Sequence, residues 1–325
     1  MLKYMNDTEL VEAFSIDVLH KHTVRIRIFV IALTGIVLAA RSGHTQRAEI
    51  PGRDLLGFPL GLVAEPAALP GVLGLGLWNP ASAMLPSTAR MSLAVAAMNT
   101  PADLSVSAQA ASVSVRWRGS TVTASLARAA VGGLVRTDSD PLTVGNDVAY
   151  STLVTSLGMA REATSHVTWG VALRARGGQV DFERGAGVSL DGGVVVAHLP
   201  LLDARFGAST FLASPWSGGR ERATAMASVD ARIAGTDSAR TARAGIAAST
   251  TRGAGNDVFV FGSGRYHMWE LRGGVVRTAA YAGTNYRARV AVAVHHAGYT
   301  VGIAREGTPS GLPPTYQFVL GSFVR

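Results

Sequence analysis

The sequence contains no cysteine. That absence removes disulfides, thiolate metal sites and cysteine nucleophiles together. Lysine is nearly missing, so arginine carries the positive charge. Hydrophobic residues make up 48 % of the chain. No apolar run approaches the roughly 20 residues that a bilayer-spanning helix needs. Motifs for nucleotide binding and catalysis are missing as well. Gly74-Leu75-Gly76 lacks a third glycine and a preceding strand. Gly307-Thr308-Pro309-Ser310-Gly311 has its serine out of place for a nucleophile elbow. His295 and His296 are adjacent, so on a strand they point to opposite faces and cannot share a metal. His166, His198 and His267 stand alone in sequence. The expectation is a protein that is not an enzyme, with no catalytic residues, no cofactor and no metal.

What is present is glycine, 37 residues of it, with abundant Ala, Ser and Thr. These suit tightly turned strands with small inward side chains. The formal net charge is +8, from 30 Lys+Arg against 22 Asp+Glu. The arginines are dispersed at alternate strand positions and form no patch or basic helix, which argues against nucleic acid as a partner. They fit a wet lumen, or a face toward lipopolysaccharide.

The stretch from His166 to Arg176 shows the governing pattern. Val167, Trp169, Val171, Leu173 and Ala175 fall on one side of an extended chain. His166, Thr168, Gly170, Ala172, Arg174 and Arg176 fall on the other. A strand has a side-chain period of two, so this is one apolar face and one polar or small face. The pattern recurs nearly to the last residue. Met91, Leu93, Val95 and Ala97 carry it first. Val113, Val115 and Trp117 turn at Gly119-Ser120 into Thr121, Thr123 and Ser125. Val148–Ala160 turns at Arg161-Glu162 into His166–Arg176, and further runs continue to Thr315–Arg325. Val131–Asp147, Gly177–Gly187 and Pro215–Arg220 read as outer loops. The total is roughly twelve to fourteen strands of about ten residues, the length that crosses an outer membrane when tilted.

The fold class expected is all-β, a closed antiparallel transmembrane β-barrel. Closure removes the edge strands that lipid cannot satisfy. The alternative is a secreted soluble all-β sandwich, which needs fewer strands. Trp117, Trp169, Tyr266, Trp269, Tyr281, Tyr286, Tyr299 and Tyr316 sit near strand ends, where an aromatic girdle lies. Arg116, Arg118, Arg174 and Arg176 are the candidate lumen-facing cations. Phe323 stands two residues short of the end, and the last residue is Arg325, a departure from the aromatic terminus of outer-membrane barrels.

Residues 28–48 contain the apolar run IFVIALTGIVLAA followed by RSGHTQRAE. Basic residues precede it, which is the order of a secretory signal peptide. Cleavage is expected between Ala40 and Ala48, without a clean A-x-A site. Residues 1–27 combine the basic region with an acidic, mixed extension that does not fit, and translation starting near Val24 would remove it. Residues 49–89 hold no clear period-two strand. Pro51, Pro59, Pro66, Pro70, Pro80 and Pro86 break helix and sheet alike. A segment this apolar should pack inside something, so we expect a plug or hatch ahead of a barrel over 90–325.

Leu77-Trp78-Asn79-Pro80-Ala81-Ser82-Ala83 resembles the NPA segment that follows the signal peptide in two outer-membrane groups, the FadL-type transporters and the PorV/PorQ-type proteins. Arg136-Thr137-Asp138 and Leu190-Asp191-Gly192-Gly193-Val194 are similar to the PorV/PorQ-type pattern. The resemblance implies export to the bacterial outer membrane and a barrel of about fourteen strands. It implies one of two functions. A PorV/PorQ-like protein would act in protein export or surface attachment, with secreted or surface proteins as partners and the outer loops as contact. A FadL-type protein would pass hydrophobic small molecules, with Phe58, Leu60, Leu77, Trp78, Asn79 and Pro80 as hatch and ligand-lining residues. Outer-membrane lipid is the common partner.

Overall fold

The computed structural model describes residues 49–57, 64–71, 76–101, 105–136, 147–199, 202–214, 221–237, 239–251, 255–280, 283–307 and 314–324. The N-terminal extension, the signal segment, Phe58, Leu60, Tyr281, Arg325 and the loop residues 137–146 and 215–220 lie outside these.

Fourteen antiparallel strands follow one another around a closed sheet. They are β1 Met91–Asn99, β2 Ser105–Trp117, β3 Ser120–Gly132, β4 Tyr150–Thr164 and β5 Val167–Val180. Then come β6 Glu183–Leu199, β7 Ala204–Phe211, β8 Thr224–Asp237, β9 Arg240–Thr251 and β10 Gly255–Tyr266. The last are β11 Trp269–Ala280, β12 Gly283–His296, β13 Tyr299–Glu306 and β14 Thr315–Val324. The first and last strands pair from Met91↔Val324 to Asn99↔Tyr316, so the sheet has no free edge. The closed ladder and its apolar exterior replace the sandwich alternative.

The alternation decides which way each side chain points. On β1, Met91, Leu93 and Val95 are exposed while Ser92, Ala94, Ala96 and Met98 are buried. On β5, Trp169, Val171 and Leu173 face outward while Arg174 and Arg176 are buried inside. The apolar face is therefore the outside, as a sheet in lipid requires and a water-soluble one does not. Trp117, Trp169, Tyr266, Trp269 and Tyr299 are outward residues at the ends of β2, β5, β10, β11 and β13. All five ends lie at the rim of short turns, so they form a belt there. Replacing the outward Leu173, 51 % exposed, with arginine should cost about 2–4 kcal/mol near the bilayer midplane. Urea unfolding in liposomes measures it, and no loss would mean that this face does not meet lipid.

Three expectations need correction. Gly177–Gly187 is not a loop. β5 runs on to Val180 and β6 starts at Glu183, with Asp181 and Phe182 as the turn. Gly178 and Gly185 sit inside the strands because hatch backbone lies against them, a reason that sequence composition conceals. Arg161 and Glu162, read as a turn, likewise fall within β4. Arg118 does not face the lumen. It occupies the β2–β3 turn at φ 49° beside Gly119 at φ 77°. Two successive positive φ values make the tight hairpin turn that matches strand twist, and they end the alternation. Arg118 is exposed and stacks 5.2 Å from the Trp117 ring.

The hatch threads the lumen. Residues 50–54 lie by the rim of long connections, against Gly178, Gly185 and the start of β4. Residues 84–90 lie by the rim of short turns and lead into β1. Two short 3₁₀ turns, Asp54–Gly57 and Pro80–Ala83, are its only regular pieces among the described residues. The core lies between hatch and wall. Leu55, Ala64 and Leu77 pack on inward alanines 94, 96, 108, 110, 127 and 129. Small inward residues on β1–β3 are what leave room for them.

Candidate functional site

The hatch is held by a seat of glycines. A Cβ on Gly170 would stand 2.5 Å from the Ala81 nitrogen. One on Gly178 would meet the Pro51 carbonyl oxygen at 1.8 Å, and one on Gly207 the Ala68 oxygen at 1.9 Å. Gly193 would collide with the Asn79 side chain at 2.0 Å. Only glycine lets the two backbones approach this closely.

The NPA residues form the central anchor. Asn79 is the N-cap of the second 3₁₀ turn, with its Oδ1 accepting from the Ala81 N–H at 3.0 Å and Pro80 at the first position. Its Nδ2 donates to the Ala68 carbonyl at 2.6 Å and reaches the wall at the Val194 carbonyl, 3.3 Å away. Asn79 is fully buried, so these bonds replace lost water. Leu77 and Pro80 are buried too, and Trp78 tilts against Phe211 at 4.6 Å between centroids. These four candidate residues thus meet wall or hatch atoms and stand together at the docked face.

Two of the four candidate arginines, Arg116 and Arg176, also hold the hatch, and a third, Arg174, lies in the wall behind it. Arg116 donates to the carbonyls of Leu85, Pro86 and Ala89 at 2.7, 2.6 and 3.1 Å. Arg176 donates to Ile50 at 2.7 Å and Pro51 at 2.9 Å, and pairs with Glu221 at 2.6 Å. Burial pushes the Glu221 carboxyl above the ordinary range, against the pull of Arg176. Arg174 pairs with Asp191, both fully buried, and lies 4.8 Å over the Phe211 ring. The hatch residue Arg53 is 5.6 Å from the same ring. Asp191 sits in the middle of β6. Its carboxylate also accepts the N–H groups of Leu212 at 3.0 Å and Ala213 at 2.8 Å.

Mid-lumen, the hatch crosses to the opposite wall. Leu69 packs with the inward Phe259, Phe261 and Val276 of β10 and β11. Ala64 shares a cluster with Ala291, Ala304 and Val319 of β12–β14. Glu65 forms an ion pair with Arg272 of β11 at 3.2 Å. Arg272 also binds Glu270 at 2.6 Å, and Glu270 binds His295 at 2.8 Å. His295 meets the Thr300 hydroxyl at 3.1 Å through Nδ1. A hydroxyl on Nδ1 and a carboxylate on Nε2 reverse the order of a hydrolase triad. Here Arg272 already neutralises the carboxylate, and Thr300 is buried.

Polar groups lie on either side of this crossing. At the short-turn rim, Arg205 and Arg243 converge on Asp230 at 3.0 and 2.9 Å, and Arg232 and Arg243 on Asp203 at 2.5 and 3.3 Å. Burial raises the Asp203 carboxyl, but His198, Arg232 and Arg243 together hold it below the usual range. At the long-connection rim, a cavity of about 690 Å³ opens between residues 49–54 and the wall.

Sequence reading missed Glu65, Arg272, Glu270 and His295, and the glycine seat. A signal for the seat exists. Gly185, Gly187 and Gly193 share one parity on β6, the parity of the buried Asp191.

No protein-family profile and no curated protein matches the chain. Solved structures do. A deletion mutant of TodX, a monoaromatic hydrocarbon channel, aligns with TM-score 0.52 and 9 % identity over 75 % of this chain and 91 % of that one. The two share a fold. OprB of Pseudomonas putida aligns with TM-score 0.41 and 9 % identity over 73 % of this chain and 92 % of its own. A Rh. blastica porin mutant aligns with TM-score 0.39 and 11 % identity over 72 % and 99 %.

Proposed function

We propose that this protein is an outer-membrane channel for small molecules whose passage is gated by its own N-terminal hatch. It carries out no chemistry on what it passes. The supporting observation is the mid-lumen crossing. Residues 64–69 reach from the glycine seat to β10–β12, and Glu65 is fastened there by Arg272. A partly buried pair of this kind is strong enough to hold and weak enough to release. Two- to four-residue turns join the strands at one rim, while the long connections 133–149, 212–223 and 307–314 all lie at the other, as in outer-membrane barrels, whose short turns are periplasmic. TodX, of the same fold, is a hydrocarbon channel, which makes passage of a small molecule a natural use of this architecture.

The test removes the latch. Glu65→Ala and Arg272→Ala should each raise open probability in planar bilayers several-fold, while the band still shifts on boiling. Unchanged conductance in both would count against the gate.

A second reading is PorV/PorQ-like attachment of an exported protein at the surface. One observation favours it. Phe182, at the tip of the β5–β6 hairpin, is 81 % exposed on the outer rim. Arg136, 4.7 Å over its ring and paired with Asp181, holds it in place. A braced, exposed aromatic is what an interface anchor looks like. Loss of co-purifying secreted protein on Phe182→Ser would support this reading, and no partner in the wild type would end it.

A further inference from the structure

We infer that the outer chamber is a binding site for a small, net-neutral, hydroxyl-rich solute, and not for a hydrocarbon. This rests on the channel reading for its purpose, though not for its chemistry. The cavity, about 690 Å³, has the size of a small-ligand site. Sites for apolar ligands are lined mostly by apolar and aromatic side chains. Here no aromatic residue is among the described lining. Trp78, Phe211, Phe259 and Phe261 are instead consumed by the packing of the hatch.

The wall side offers hydroxyls and an amide. Ser249 and Thr251 of β9, Thr278 of β11 and Asn285 of β12 line it. Ser249 and Thr251 are two apart on one strand, so both face the same way. The lining charges nearly balance: Glu49, Asp54, Glu183 and Asp257 against Arg53, Arg222 and Arg287. Arg222 binds Glu49 at 2.7 Å, and Arg287 binds Glu306 at 2.8 Å and stands 3.9 Å from Asp257. Nearly balanced charges leave little net field to select an ion, but they keep the walls wet. A hydrocarbon entering would strip water from these groups and return no hydrogen bond, which is costly. A polyol returns one for each water it displaces. The preference therefore follows from unequal desolvation, and its size depends on how many of these groups the solute touches.

Saturation-transfer NMR on the full-length barrel in detergent tests this, with sucrose and toluene as probes. Sucrose should give a saturable signal, and toluene should not compete with it. Ser249→Val with Thr278→Val should weaken sucrose binding at least fivefold. Thr250→Val, on the outer face of the same strand, should leave it unchanged. A band that still shifts on boiling shows that each variant is folded. Toluene binding without sucrose, or sucrose binding indifferent to the double variant, would overturn the inference. The channel reading fails separately. Sucrose binding with unchanged conductance in the latch variants removes the gate and leaves the site. Gated conductance without sucrose binding does the opposite.

Discussion

Gly170→Ala combined with Gly207→Ala should unseat the hatch and turn a mostly closed barrel into a conducting one. The added methyl groups meet backbone, at 2.5 Å from the Ala81 nitrogen and 1.9 Å from the Ala68 oxygen, so no rotamer change relieves them. Neither glycine has a positive φ, so alanine brings no strain to the strand itself. The whole penalty falls on the contact between hatch and wall. Overpacking of this kind costs about 1–3 kcal/mol per site. At 1.4 kcal/mol per tenfold, each methyl shifts the seated-to-unseated ratio by roughly five- to a hundredfold. Gly192→Ala is the matched control. It lies on the outer face between Asp191 and Gly193, and its new methyl would meet nothing within 4 Å. Single-channel recording reads the result. A folded double variant that conducts like the wild type would show that the hatch does not rest on these glycines.

The same contrast between Gly192 and Gly193 shows how far the sequence could be read. Alternation is local, so the outward Leu173 and the inward Arg174 are legible from ten residues of chain. A segment rich in proline and leucine must be buried somewhere, and that too is legible. What it is buried against is not. Glycine in a sequence reads as a turn, and so Gly177–Gly187 looked like a loop. Its meaning as a seat depends on the Pro51 carbonyl, more than a hundred residues away in the chain. The latch is hidden for a similar reason. Glu65 and Arg272 lie in unrelated contexts, and only barrel closure sets them 3.2 Å apart. His295 and Thr300 become neighbours through the β12–β13 register, which the Ala297-Gly298 turn sets. Register across a single hairpin can be guessed from its turn. Register around fourteen strands is a sum of such guesses, each able to slip.

Arg174→Met alone should be among the most destabilising single changes in the wall. It leaves the Asp191 carboxylate fully buried without its cation, and breaking a buried pair from one side costs about 3–5 kcal/mol. Asp191→Asn alone strands the guanidinium in the same way, with only the Phe211 ring beside it. The double variant should recover most of the loss. Methionine lies on Phe211 about as well as the arginine stem does. Asparagine keeps one oxygen, enough for one of the Leu212 and Ala213 N–H groups that the two carboxylate oxygens of Asp191 accept separately, so a small part of the loss remains. The recovery is the informative quantity. If the pair served the wall alone, the double variant would unfold like the wild type and conduct like it. But the Phe211 ring meets Arg174, the hatch residue Arg53 and the hatch residue Trp78 alike. Methionine fills the space of the arginine stem but not its cation–π contact, so the ring is held less firmly against the hatch. The expected outcome is therefore a barrel of restored stability with a loosened hatch, seen as unfolding in urea near the wild-type midpoint together with raised conductance. Stability and gating recovering together would instead separate the ion pair from the gate, and leave Glu65 and the glycine seat to hold the hatch.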